Sequence, residues 1–251
     1  MTNAVISLLL ILFFFTSAIG VVTGSNSLIT VPVMFQFGID EKVAVATNMF
    51  GLTFMAVGGA IPFVRRDKID IGRIMPMIVL TIVSSAIGAA MVGLITDQGI
   101  KLMVSIAMIT VAAFTLIRPD AGIKARPAIG RRLILSYLIV FLLGIYGGLY
   151  SGGYVTILTS VLVVFFGMTF SESVAATKVI NVFSSLIASI VFMWQGLVDY
   201  RLGIMLAVVM FAGAFAGAHF AARMNEIWLK RIFLAAVVVL AVKILFDLFV
   251  Q

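Results

Sequence analysis

A series of long apolar runs constrains this chain more than any other sequence feature. A transmembrane helix needs about 20 apolar residues, and eight runs reach about that length. Two shorter runs, 27–38 and 154–167, would span about half to two-thirds of a ~30 Å hydrocarbon core. The pattern predicts an all-α polytopic membrane protein with about eight long and two short transmembrane segments. The long runs cover 4–23, 43–64, 71–95, 99–117, 133–150, 173–196, 203–222 and 228–249.

The composition supports this class and excludes several others. Hydrophobic residues make up 63% of the chain and charged residues only 11%, whereas a soluble domain is about 25% charged. The chain has no cysteine and a single histidine, His219, so we expect no catalytic residues, no metal site and no cofactor. The net charge of +7 does not indicate nucleic-acid binding, because Lys and Arg collect in the cytoplasmic loops of membrane proteins.

The two halves of the chain resemble each other at a nearly constant spacing. The segment VAVATNMF at 43–50 matches SVAATKVI at 173–180, which aligns Asn48 with Lys178. Each half contains one short run, which follows a small polar cluster. We therefore predict two repeats, 1–117 and 133–251, joined by a cytoplasmic linker at 118–132 and integrated into one transmembrane domain.

The distribution of basic residues predicts the topology. If each half crosses the membrane an odd number of times, one side holds 12 of the 17 basic residues and the other side holds 3. The rule that positive charge lies inside then places the richer side in the cytoplasm, with both termini outside and the repeats inverted. In an alternative, each short run re-enters on its own after a full span, which makes the halves parallel and weakens the charge bias.

The polar clusters before the short runs are the first candidate binding residues. Broken helices in inverted repeats often mark a substrate site, because a helix N-terminus presents free N–H groups and partial positive charge. Two such tips meeting from opposite faces would form an anion site. The alternative is that these residues only cap helices or allow close packing. The candidates are Ser25, Asn26 and Ser27 in the first half and Ser151, Gly152, Gly153 and Tyr154 in the second.

Lys178 is the second candidate, because it lies within an apolar run. An ionisable residue inside the membrane is usually functional, and Asn181 shares its helix face at i+3. Thr177 is adjacent, and Thr47 and Asn48 are the neutral equivalents in the first half. The alternative is that Lys178, about 7–8 Å from the cytoplasmic surface, extends its ammonium group to the interface.

A further pattern concerns packing between helices. The segment GAFAG at 213–217 places small residues four apart. Such spacing lets helices approach closely, within one chain or between two copies. The pattern is therefore compatible with a homodimer in the lipid bilayer.

The motifs together resemble the sulfite exporter TauE/SafE family over essentially the whole chain. The resemblance lies in the segments GIYGGLYSGGYVTIL and VAATKVIN in the second half, and in GSNSLITVP and VAVATNMF in the first. The resemblance implies a bacterial inner-membrane permease for small anions such as sulfite or an organosulfonate, and not an enzyme. We expect a secondary transporter that exports an oxoanion by alternating access, with Lys178 as the countercharge. A passive anion channel and an accessory membrane subunit without transport of its own are the alternatives.

Overall fold

The computed structural model describes residues 3–24, 26–65, 70–96, 98–99, 102, 131–225, 228 and 231. Within these ranges the chain forms eight helices and no strand, which confirms the all-α prediction. The predicted linker and most of the runs 99–117 and 228–249 lie outside the described residues. The helices are α1 (Asn3–Thr23), α2 (Asn26–Gln36), α3 (Glu41–Val64), α4 (Ile71–Val92), α5 (Arg131–Leu149), α6 (Tyr154–Phe166), α7 (Phe170–Trp194) and α8 (Tyr200–Ala221).

Five of the described helices, α1, α3, α4, α7 and α8, are long and apolar enough to cross a membrane. The two predicted short segments form the short helices α2, of 11 residues, and α6, of 13 residues. At 1.5 Å per residue they are about 16 and 20 Å long, so neither can cross a ~30 Å core alone. The described part of the chain is therefore a multi-pass helical membrane protein with one short helix in each half.

Local side chains define where several helices begin. Asp40, Asp70 and Asp199 each accept a backbone N–H bond in the first turn of α3, α4 and α8. Thr169 and Glu172 form a reciprocal capping box at the start of α7, which satisfies donors that a helix N-terminus otherwise leaves free. These caps mark the turns that separate the spans.

The two halves repeat the same order of helices. Equivalent helices begin at a nearly constant offset along the chain, from α1 and α5 through to α4 and α8. The short helices also end alike, since Gly38 and Gly167 both adopt left-handed φ values, of 75° and 62°. Glycine takes this conformation without the steric cost of a Cβ atom. The repeat seen in the sequence is thus also a repeat of local structure.

The equivalent helices α3 and α7 pack against each other in opposite directions. Near the middle, the Thr53 and Ser189 hydroxyls are hydrogen-bonded at 3.0 Å. Further along α3, Gly59 faces Lys178, where an added Cβ would lie 3.7 Å from the lysine Cδ. From the first contact to the second, the residue number rises from 53 to 59 on α3 and falls from 189 to 178 on α7. The two helices are therefore antiparallel.

Helices α1 and α8 run parallel and are in close contact. Gly213 packs on the Phe14 carbonyl and Gly217 on the Ala18 carbonyl, where an added Cβ would overlap with the carbonyl oxygens. The predicted close packing of GAFAG is therefore found within one chain. Homodimerisation stays a prediction.

The pair α4 and α5 matches the pair α1 and α8. Thr81 faces Gly144 and Gly88 faces Leu149, so α4 and α5 are also parallel. Helices α1, α3 and α4 of the first half correspond to α5, α7 and α8 of the second. The contact between α1 and α8 therefore corresponds to the contact between α5 and α4, and the contact between α3 and α8 to that between α7 and α4. These contacts are compatible with the predicted inverted repeat, which stays a prediction.

Candidate functional site

The beginnings of the two short helices cross each other inside the helical bundle. Thr156 in the first turn of α6 donates a hydrogen bond to the Thr23 carbonyl at 2.6 Å. Tyr150 donates to the Ser27 carbonyl at 2.9 Å. Gly24 packs so closely on α6 that an added Cβ would lie 2.7 Å from the Thr156 nitrogen. The structure therefore brings together the two polar clusters, which lie in opposite halves of the sequence.

The turns that form this crossing have unusual backbone conformations. Gly24 and Gly153 have φ values of 73° and 76°, and Ser151 has a φ of 68°. Ser151 is the one non-glycine residue with positive φ in the described part of the chain. Such a conformation is uncommon for a residue with a Cβ, and residues of this kind concentrate at functional sites.

A small cavity lies beside the crossing and is bounded by α1, α2, α3, α6 and α7. Its volume is about 20 Å³, more than the ~10–15 Å³ needed for one water molecule. One part of the wall is polar and the rest is apolar. It is lined by Gly20, Val21, Gly24, Asn26, Ser27, Leu52, Met55, Ala56, Ser151, Val155, Lys178 and Asn181.

Lys178 places an ionisable amine at this cavity. Its side chain is only 3% exposed, and its aliphatic stem passes Gly59 of α3. No acidic side chain among the described residues forms an ion pair or a hydrogen bond with it. A buried ammonium group is costly unless a counter-ion balances it. An anion in the cavity would therefore stabilise the charged form of Lys178.

Two asparagine side chains supply further polar groups. Asn26 is 3% exposed and Asn181 is 6% exposed. Neither the nitrogen nor the oxygen of the Asn26 amide has a hydrogen-bond partner among the described residues, and the Asn181 oxygen also has none. Buried polar groups are nearly always hydrogen-bonded in native proteins. The unpaired amide atoms of Asn26 and Asn181 are therefore open to a water molecule or a ligand in the cavity.

Five of the predicted site residues line the cavity, and others lie nearby without lining it. The lining residues are Asn26, Ser27, Ser151, Lys178 and Asn181. Ser25 lies outside the described residues. The predicted residues that do not line the cavity are Thr47, Asn48, Gly152, Gly153, Tyr154 and Thr177.

Asn48, the equivalent of Lys178, is placed behind the cavity wall. Its amide donates to the Ser27 hydroxyl at 3.0 Å and accepts from the Thr30 hydroxyl at 2.8 Å. Asn48 thus attaches α3 to the first turn of α2. Equivalent positions in the two halves consequently have different surroundings. Lys178 lines the cavity, whereas Asn48 joins two helices behind it.

The remaining predicted residues have structural contacts. Thr47 accepts from the backbone N–H of Asp199, 3.0 Å away, at the start of α8. Thr177 donates to the Val174 carbonyl at 2.9 Å. The ring of Tyr154 packs against Gly147 of α5. The prediction that these residues bind a ligand has no support from the geometry of the cavity, which they do not line.

The apolar wall was not predicted from the sequence. Leu52, Met55 and Ala56 lie on one face of α3, as their i, i+3, i+4 spacing allows, and Val21 and Val155 face them from α1 and α6. The spacing could have identified the face. It could not show that this face borders a polar cavity, because the other described spans carry apolar faces as well.

Comparisons with known proteins agree with this architecture. Residues 9–244 match the family described as sulfite exporter TauE/SafE. A "Probable membrane transporter protein" of Haemophilus influenzae is 27% identical over 87% of this chain and 86% of its own length. "Probable membrane transporter protein ORF9" of a Sinorhizobium species is 22% identical over 96% of this chain and 93% of its own length.

A third relative, "Probable membrane transporter protein YfcA" of Escherichia coli K12, is 23% identical over 96% of this chain and 90% of its own length. No solved structure matches the chain. The family match covers nearly the whole chain. The chain therefore belongs to the sulfite exporter TauE/SafE family, whose members are membrane transporters and not enzymes.

Proposed function

We propose that the protein is a secondary transporter that exports a small oxoanion, such as sulfite or an organosulfonate, by alternating access. The observation that carries this proposal is Lys178, a buried lysine without an acidic partner among the described residues, in a cavity between two helix tips. The proposed substrate follows the family description and the sign of this charge.

The electrostatics of the cavity favour an anion over a cation or a neutral solute. The first turns of α2 and α6 border the cavity through Asn26, Ser27 and Val155. A helix N-terminus carries roughly half a positive charge and free N–H donors, so both tips add to the charge of Lys178. In a low-dielectric interior such groups interact strongly with a bound charge. Ser27 and Ser151 add hydroxyl groups that can donate hydrogen bonds.

The arrangement of the halves supports alternating access. The equivalent helices α3 and α7 cross in opposite directions next to the cavity, through Thr53 and Ser189. In transporters with inverted repeats, rocking of one part against the other exposes a midplane site to each side in turn. We place the basic-rich side in the cytoplasm of a bacterial inner membrane, and both termini outside. The interior-negative potential would then drive efflux, by about 2.3 kcal/mol per charge per 100 mV.

Flux measurements in proteoliposomes test this proposal. We expect the wild type to carry sulfite, and Lys178→Met to lower the rate at limiting substrate by about 30-fold or more. Truncation of one partner of a buried charge pair costs about 2–5 kcal/mol, and each 1.4 kcal/mol is a factor of ten. Lys42→Met is the matched control, since Lys42 lies at the start of α3 and does not line the cavity. Equal flux for both variants would refute the role of Lys178.

Two further measurements separate the proposed carrier from its alternatives. A carrier shows saturation and counterflow, in which unlabelled anion on one side drives uptake of labelled anion from the other. A passive channel with the same cavity would conduct without counterflow. An accessory subunit would show no flux when reconstituted alone.

A further inference from the structure

The unpaired amides in the cavity carry information about the ligand beyond its charge. Asn26 has both amide atoms without a partner in the described part of the chain. Exchanging the assigned nitrogen and oxygen of this amide therefore changes nothing, because one donor group and one acceptor remain free in either case. Asn181 adds a second buried amide, whose assigned oxygen is also unpaired.

A fully deprotonated oxoanion would satisfy only part of this set of groups. Lysine, serine hydroxyls and amide N–H groups can donate to its oxygens, but an amide oxygen can only accept. Oxygens of the anion placed beside the oxygens of Asn26 and Asn181 would repel them. The two amide oxygens would then stay unpaired after binding, which is unfavourable in a buried site.

The protein itself does not supply the missing donors. Lys178 lies one helical turn from Asn181 on α7, yet no hydrogen bond joins them within the described residues. Ser27 accepts a hydrogen bond from Asn48 of α3, and its own hydroxyl donates to neither amide oxygen in the described structure. In the described structure both amide oxygens are therefore open to a donor in the cavity.

We propose that the natural ligand is an oxoanion whose charged head also carries an N–H or O–H donor. A monoprotonated oxoanion and an amino-substituted sulfonate head are both of this class. This inference rests on the proposed function and narrows its substrate class. Lys178 and the helix tips bind the negative oxygens, while Asn26 and Asn181 accept the hydrogen bond from the head.

A matched pair of small anions tests the inference on the purified full-length protein. Sulfamate and methanesulfonate carry the same charge and are close in shape, but sulfamate has an NH₂ group where methanesulfonate has a CH₃ group. We expect sulfamate to bind at least about tenfold more tightly than methanesulfonate in calorimetric titrations, because only the NH₂ group of sulfamate can donate a hydrogen bond to an amide oxygen. Proteoliposome counterflow with both anions gives an independent reading.

Substitutions of the two asparagines test whether their amides cause the preference for sulfamate over methanesulfonate. Asn26→Leu and Asn181→Leu keep approximate side-chain volume and remove the acceptor, so each should reduce the preference for sulfamate. The second variant serves where the first fails to fold, because Asn181 lies in the middle of α7 and not at a crossing tip. A preference that persists unchanged in both variants would overturn the assignment to these residues.

The outcomes distinguish this inference from the proposed function. Equal affinity for the two anions, as expected if a retained water molecule satisfies the amides, would overturn the inference and leave anion transport standing. Failure of the wild type to bind or transport either anion, or sulfite, would overturn the proposed function and the inference together.

Discussion

Replacement of Gly24 by alanine tests the crossing of the two short helices directly. Gly24 has a φ of 73°, and an added Cβ would lie 2.7 Å from the Thr156 nitrogen and 2.8 Å from the Val155 Cβ. The left-handed conformation costs a residue with a Cβ about 1–2 kcal/mol. Overpacking against neighbours that cannot retreat adds about 1–3 kcal/mol. We therefore expect Gly24→Ala to lower the free energy of unfolding by about 2–5 kcal/mol.

Gly38→Ala is the matched control for this substitution. Gly38 has nearly the same φ, 75°, but no atom lies within 4 Å of its added Cβ. Only the conformational cost of about 1–2 kcal/mol applies there. Denaturant unfolding of both variants in the same detergent isolates the packing contribution as their difference. If the two variants lose the same stability within experimental error, the tips do not cross as tightly as the structure shows.

Two further substitutions separate charge from positioning. Lys178→Met should leave the free energy of unfolding unchanged or raise it, because it removes a buried unpaired cation; a loss above about 2 kcal/mol in denaturant unfolding would instead assign Lys178 a structural role. Asn48→Ala should lower sulfite flux by about tenfold at most, and less than Lys178→Met, because it removes no charge and acts on the cavity through Ser27. A loss as large as that of Lys178→Met would contradict this ranking.

The residues that line the cavity show how far sequence patterns reach. Lys178 and Asn181 could be identified because a charge and an amide at i+3 are rare within an apolar run. Asn26, Ser27 and Ser151 could be identified because polar clusters precede both short runs. Leu52, Met55 and Ala56 could not, since apolar residues at helical spacing occur in every span. Whether such a face contacts lipid, another helix or a cavity depends on neighbours far away in the chain.

The aligned pair Asn48 and Lys178 also shows what a sequence pattern cannot predict. Their alignment correctly related the two halves, whose equivalent helices begin at a nearly constant offset. It also suggested that Asn48, as the neutral equivalent, binds the substrate, but Asn48 is hydrogen-bonded to Ser27 and Thr30 while Lys178 lines the cavity. A repeat defines which positions correspond. It does not define side-chain surroundings, because the residues that pack around each position differ between the halves.

The sequence by itself determined the helical membrane class, the repeat, the two short helices and the family resemblance. These properties depend on local composition and spacing, because the length of an apolar run decides whether a helix can cross the bilayer. Only the tertiary structure decided that Gly24 packs on Thr156, that α3 and α7 meet at Thr53 and Ser189, and that Asn26 and Asn181 line the cavity with Lys178. Those facts depend on contacts between residues in opposite halves of the chain, which are set by how the helices pack together and not by any single segment.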